Sequence, residues 1–215
     1  MRILYHFQNS PYSRRVRLAL AHKGLDAELR DGREHPPFLD EARRLSPLKT
    51  LPVLVEEDGR VIGDSSAITH YLDRYYPEAP ALWPSARADA HRTFEAVALA
   101  DAALEAIVYT GNRFFPLHEH AAWPAIKDDM VGRVQRALDA LGDRASSLGR
   151  PTVAASGWSA ADIWIYCVVD WLERLPVRAE TVPLARQLVS IGWRLPPSLS
   201  RWADQHRARP EIHAL

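Results

Sequence analysis

Asn9-Ser10-Pro11-Tyr12-Ser13-Arg14-Arg15-Val16-Arg17 follows the short apolar strand pattern Ile3-Leu4-Tyr5-His6-Phe7 and opens a helix. Ser10 suits the N-cap, and Pro11 suits the first helical position, where a missing N–H loses nothing. Val16, Leu18, Ala19, Leu20 and Leu25 supply a buried face. A strand that runs into a helix N-terminus leaves unpaired backbone N–H groups and a partial positive charge at one point. Such a point holds an anion. A hydroxyl beside it hydrogen-bonds a thiolate, a phosphate or a carboxylate.

Outward from that stretch, the first helix runs from about Ser10 to Lys23 and stops at Gly24. A second strand fits residues 26–30, a polar loop spans Asp31 to Pro37, and weak helical spacing covers Phe38 to Leu45. Leu51-Pro52-Val53-Leu54-Val55 and Val61-Ile62 flank Asp58-Gly59, a strong hairpin signal. Gly63-Asp64-Ser65-Ser66 then caps a third helix carrying Ala67, Ile68, Tyr71, Leu72 and Tyr75. Pro77 to Ser85 reads as a linker. Beyond it the chain is Ala-rich and helical over 86–117 and 122–148. Ser159-Ala160-Ala161-Asp162 is a capping box ahead of the apolar helix Ile163 to Leu172, and further helices fit about 181–193 and 198–208. The only ambiguous strand after residue 80 is Thr152-Val153-Ala154.

The chain has 215 residues, with 27 Lys plus Arg against 27 Asp plus Glu. The balance also holds in each part, 12 of each sign in residues 1–80 and 15 of each in the rest. Neither part has the basic excess of a nucleic-acid-binding protein. Arg14, Arg15 and Arg17 form a local cluster that reads as a solvated face plus one internal ion pair. No apolar run approaches the ~20 residues of a membrane span. A strand pattern stands where a signal segment would begin, so a cytoplasmic protein is expected. The single Cys167 rules out an intramolecular disulfide and sits in an apolar run, as an inert core residue does. His118 and His120 stand two apart, which does not put two metal ligands on one helix face. No metal is expected.

Two further places carry chemistry. Pro52 stands at a strand entry, where an ordinary trans bond is the default and only ~5% of such bonds are cis. Asp64-Ser65 opens the third helix, where the N-cap role is compatible with binding a carboxylate on free N–H groups and an ammonium on Asp64.

Taken together, these segments resemble the cytosolic glutathione transferases, of the serine type found in bacterial and theta-, zeta- or tau-like members. Ser10-Pro11-Tyr12-Ser13-Arg14-Arg15-Val16-Arg17 is similar to that family's signature at the first helix. Ser46-Pro47-Leu48-Lys49-Thr50-Leu51-Pro52-Val53-Leu54 resembles its Asn-Pro-x-x-x-Val-Pro-x-Leu segment. Asp64-Ser65-Ser66-Ala67-Ile68 resembles its Glu/Asp-Ser-x-Ala-Ile segment, and Ser159-x-x-Asp162 the capping box of its helical domain.

The resemblance implies an α/β thioredoxin-like N-terminal domain over residues 1–78, a linker over 79–86 and an all-helical C-terminal domain over 87–215. It implies that Pro52 is cis. It also implies that glutathione, as co-substrate, pairs its cysteinyl backbone with Leu51, its γ-glutamyl end with Asp64 and Ser65, and its thiolate with Ser10. Asn9 and Ser13 are neighbouring candidates for the thiolate contact, with Tyr5 a weaker one. The implied activity is attack of the glutathione thiolate on a small hydrophobic electrophile. The alternatives are a glutathione-dependent isomerase or dehalogenase, or a non-catalytic member of the fold. Tyr109, Arg113, Phe114 and Phe115 are candidates to line the second substrate's site, but aromatic residues at helical spacing are more often core, so they are not assigned to it. A homodimer is implied, and no partner of nucleic acid or membrane.

Overall fold

A computed structural model describes residues 1–213 of the chain. Side chains in β1 (Ile3–His6) alternate between two faces, as a strand's period of two requires. Leu4 joins a core with Val16, Leu20, Leu54, Ile68 and Leu72. Tyr5 points the other way, with Val53 and Ala42, against Phe38. The helices are set accordingly. α1 (Pro11–Lys23) and α3 (Ser65–Tyr75) cover the first face, and α2 (Pro36–Leu45) covers the second. β2 (Glu28–Asp31), β3 (Val53–Val55) and β4 (Val61–Gly63) complete a four-stranded sheet in the order β2-β1-β3-β4. β1 and β2 are parallel, and the other pairs are antiparallel. This is the thioredoxin-like α/β unit that the resemblance implies.

The ends of the elements follow local chemistry. Gly24 terminates α1 at φ 65°, a left-handed conformation that glycine adopts without a Cβ penalty. α2 starts at Pro36, two residues before the helical spacing expected from Phe38. Two prolines that looked like loop occupy its first turn, where no N–H is needed.

From Arg87 on, the named elements are helical: α4 (Arg87–Tyr109), α5 (Trp123–Ser147), α6 (Ala160–Arg178), α7 (Pro183–Ser190), α8 (Pro197–His206) and α9 (Pro210–His213). Thr152-Val153-Ala154 contributes only an isolated bridge, from Ala154 to Gly157. α6 is buried all round from Ala160 to Leu172, as the central helix of a bundle must be. It packs on α1, α4, α7 and α8. α1 is therefore held between the sheet and α6, and nine of its thirteen residues are buried.

This placement corrects the reading of the arginine cluster. Arg15 and Arg17 are 2% and 3% exposed. Arg15 pairs with Asp101 of α4 at 2.7 Å, Arg14 pairs with Asp170 of α6, and Arg17 bonds Gln8. The cluster holds the two halves together instead of facing solvent. Among the described residues, no helix is long and apolar enough to cross a membrane.

Candidate functional site

The strand-to-helix junction forms as its sequence dictates. Ser10 has extended backbone (φ −82°, ψ 126°) and caps α1, its Oγ accepting from the Ser13 N–H at 3.3 Å. The Ser10 oxygen thus accepts along the chain, and its own O–H has no acceptor among the described residues. Ser13 is fully buried, and its Oγ accepts from the Phe7 N–H at 3.3 Å, tying the junction together. Tyr5 is 2% exposed and its phenol oxygen accepts from Arg30 at 2.8 Å on the α2 side of the sheet. Of the four thiolate candidates, Ser10 and Asn9 alone line a cavity beside the junction.

Two adjoining cavities open there. The first, of about 490 Å³, is lined by Thr50, Leu51, Pro52, Asp64 and Ser65, and by Glu105, Tyr109, Asn112 and Arg113 from the helical half. The second, of about 240 Å³, is lined by Asn9, Ser10, Pro11 and Arg33, and by Trp171, Leu175, Arg178 and Leu188 among others. Tyr12, Val108 and Asn112 line both, so the cavities share a wall. A third cavity of about 340 Å³, among Ala96, Leu141, Leu148, Ile165 and Trp202, touches none of these residues.

The structure therefore brings Leu51, Pro52, Asp64 and Ser65 to one polar cavity, and Ser10 to the neighbouring, more apolar one. The Leu51–Pro52 bond is cis. Asp64 takes φ 74°, which few non-glycine residues adopt. Its Oδ1 accepts from the N–H groups of Ser66 at 2.8 Å and Ala67 at 3.1 Å. Its Oδ2 has no partner among the described residues, which leaves it open to an ammonium group. Tyr109 and Arg113 line the first cavity as anticipated, but Phe114 and Phe115 line neither. Phe115 stacks on His118 instead.

Sequence reasoning missed Tyr12, Arg33, Glu105, Asn112 and Arg178. A usable signal existed for α4. Glu105, Val108, Tyr109, Asn112 and Arg113 recur at three- and four-residue intervals and form one stripe. The α4 end then widens into a π-helical turn, Thr110–Phe114, which sets Asn112 and Arg113 on the cavity wall. Gly111 permits it. A Cβ there would come within 2.3 Å of Leu188 Cδ2. Tyr12 is mostly buried, and that burial raises its phenol above the ordinary range despite the Arg15 guanidinium 5.1 Å from its ring. It stays protonated. Cys167, fully buried, is pushed up to about 11 and takes no part.

Comparison with known proteins bears on the fold and the N-terminal half. Residues 4–80 match the family described as glutathione S-transferase, N-terminal domain. A maleylacetoacetate isomerase of Dictyostelium discoideum is 41% identical over 86 residues, which is 37% of this chain and 38% of that protein. Glutathione S-transferase Z1 of Arabidopsis thaliana is 44% identical over 84 residues, 37% of this chain and 36% of that protein. The chain thus spans under two fifths of the length of these curated relatives. Over its whole length it follows a glutathione S-transferase of Methylobacillus flagellatus crystallised with glutathione, with a TM-score of 0.76, 25% identity, and coverage of 100% of this chain and 98% of that one. Residues 4–80 thus match the glutathione S-transferase N-terminal domain, and the chain from end to end is similar in fold to a glutathione S-transferase.

Proposed function

We propose that the chain is a glutathione transferase that ionises the thiol of glutathione at Ser10 and directs it at an electrophile in the second cavity. The observation that carries this reading is the state of Ser10. Its oxygen is engaged by the Ser13 N–H, its O–H has no acceptor among the described residues, and it stands at the N-terminus of α1 beside the wall that both cavities share. Glutathione lies along the first cavity, with its ammonium toward Asp64, its γ-glutamyl carboxylate toward Ser65 and the α3 N-terminus, and its backbone against Leu51.

The energetics suffice. A thiol of pKa about 8.5 is only a few per cent ionised at neutral pH. Lowering it to ~6.5 needs roughly 2.7 kcal/mol of preferential stabilisation of the thiolate. One hydrogen bond to a charged group supplies about 1.5–3 kcal/mol, and a helix N-terminus about 0.3–1 more. The thiolate then attacks an electrophilic carbon. The sulfur–carbon bond forms, the leaving group departs with its electron pair, and the thiol proton passes to solvent. The protein acts as a cytoplasmic homodimer on this reading.

The names of the curated relatives favour a second reading, glutathione-dependent isomerisation. There the thiolate adds to a double bond, the adduct rotates about the resulting single bond, and the same sulfur–carbon bond breaks. Glutathione is regenerated, so its consumption per turnover separates the two reactions.

The test is titration of bound glutathione by thiolate absorbance, with turnover of an aryl halide, in the native chain and Ser10→Ala. The variant is expected to raise the thiol pKa by about 1–2 units and to lower turnover about ten- to a hundredfold. Equal pKa and equal turnover in the two proteins would remove Ser10 from the mechanism.

A further inference from the structure

We propose that the second substrate carries a carboxylate, held by Arg33 and Arg178, which both line the second cavity. This rests on the glutathione transferase reading and names the substrate class that the same site takes.

The charge in that cavity is one-sided. Its wall is mainly apolar, and Arg33 and Arg178 are its only charged residues, with no Asp or Glu beside them. Most arginines that reach across this structure end on an acid: Arg2 on Glu56, Arg14 on Asp170, Arg15 on Asp101, Arg207 on Glu173. Among the described residues, neither the Arg33 nor the Arg178 guanidinium has a hydrogen-bond or ion-pair partner.

Each is nevertheless positioned. Asp31 accepts from the Arg33 N–H at 2.7 Å and from the Gln8 N–H at 2.8 Å, which pins the turn after β2 to the turn after β1. The Arg33 guanidinium lies 5.1 Å from the Phe7 ring, over its face. Arg178 ends α6 and is half-buried. Partial burial holds its pKa below the usual arginine range, and repulsion from Arg33 and Arg174 adds to this. Arg174 has its own acid, Asp170 at 2.5 Å, whereas Arg33 and Arg178 are left facing the same space.

Two guanidinium groups from separate elements, Arg33 exposed and Arg178 half-buried, repel each other beside an apolar wall, and an anion between them relieves that repulsion as a neutral ligand does not. Guanidinium forks match the planar, two-oxygen geometry of a carboxylate. An electrophile with an apolar body and a carboxylate fits this cavity, its reactive carbon toward Ser10 and its charge toward the arginines. For such a substrate the bond changes stay as described above, and the carboxylate takes no part in them.

A matched pair tests this: 1-chloro-2,4-dinitrobenzene and 4-chloro-3,5-dinitrobenzoate, which lose chloride in the same substitution and differ in charge. Arg178→Gln and Arg33→Gln are each expected to lower the ratio of kcat/KM for the benzoate to that for the neutral halide about ten- to a hundredfold. Arg178→Lys should restore part of it. A general structural defect lowers both rates and leaves the ratio alone. An unchanged ratio overturns the proposal. So does an effect confined to the KM for glutathione, which would assign the arginines to the peptide's own glycyl carboxylate. Calorimetric binding of S-hexylglutathione and S-(5-carboxypentyl)glutathione gives a readout free of turnover. Tighter binding of the carboxylate, lost in Arg178→Gln, supports the proposal. Equal binding defeats it alone, and failure of both conjugates to bind defeats it together with the reading on which it rests.

Discussion

His6 sits at the end of β1, 3% exposed, with no partner for Nδ1 among the described residues. Burial lowers its pKa from 6.5 to about 4, and the Arg17 charge adds to the effect. Above pH ~6.5 the ring is neutral in both folded and unfolded chains. Below it the unfolded chain takes a proton that the folded chain refuses, so stability is lost as pH falls through this window. Between about pH 7.5 and about pH 4.5 this single residue accounts for roughly 2.5 kcal/mol. Urea titrations at the two values should show that loss, and His6→Gln should lose about that much less. His22 and His206 are also held down by burial, so the difference between the two proteins is what isolates His6. An identical pH dependence in the variant would show that the His6 ring is already charged or solvated in the folded protein. His6 and Ser10 also mark what single residues disclose in advance. The capping position of Ser10 is local, set by Pro11 and the helix it opens, and was legible in the sequence. The place of Arg178 on the wall of the second cavity, shared with Arg33 from 145 positions away in the chain, is not, because nothing near it in the sequence carries that information.

Among the elements, α6 shows why the helices were legible in kind but not in length. Its start is written in the capping box. The Asp162 carboxylate accepts from the Ser159 N–H at 2.9 Å, the Ser159 O–H at 2.8 Å and the Val153 N–H at 2.8 Å. Its end is not so written. The apolar run fades after Leu172, yet the helix continues through Pro176 to Arg178, with Leu175 buried on its inner side. α9 was invisible for a similar reason. At four residues it depends on tertiary contacts such as Glu211 with His22 of α1 at 3.3 Å. The opposite case is the α4 end, where a helical pattern over 86–117 hides a π-helical turn in which Gly111 lies against Leu188. Burial pushes the Asp162 carboxyl up to about 6 against the pull of its donors, so its value to the fold lies in those three bonds. Asp162→Ala strands them together. It is expected to lower stability by about 2–4 kcal/mol in denaturant titration, with Asp162→Asn between it and the native chain. A loss below ~1 kcal/mol would mean that water replaces the carboxylate at this helix start.

At the scale of the whole molecule, α1 is the shared element: it closes one face of the sheet and packs on α6 of the helical half. Asp170 fastens that contact. Only 6% exposed, it takes Arg14 of α1, Arg174 one turn along α6 at 2.5 Å, and Arg207 after α8 at 3.6 Å. Arg207 keeps Glu173 and Asp204 if Asp170 is neutralised, but Arg14 and Arg174 lose their acid in a half-buried setting. Removing one partner of a buried pair strands the rest, so Asp170→Asn is expected to cost about 3–5 kcal/mol. The loss should appear in both halves at once. Six of the seven tryptophans follow Arg87 and the seventh, Trp83, stacks on His70 of α3, so fluorescence reports mainly the helical half and its seam, while amide exchange in β1 and β3 reports the sheet. If α1 couples the halves, the variant's fluorescence midpoint falls in denaturant and the slowest-exchanging amides of Leu4 and Leu54 speed up by the same free energy. A fallen midpoint with unchanged exchange at Leu4 and Leu54 would mean that the sheet holds α1 without α6. The shared wall of Tyr12, Val108 and Asn112 between the two cavities would then join two separately unfolding bodies.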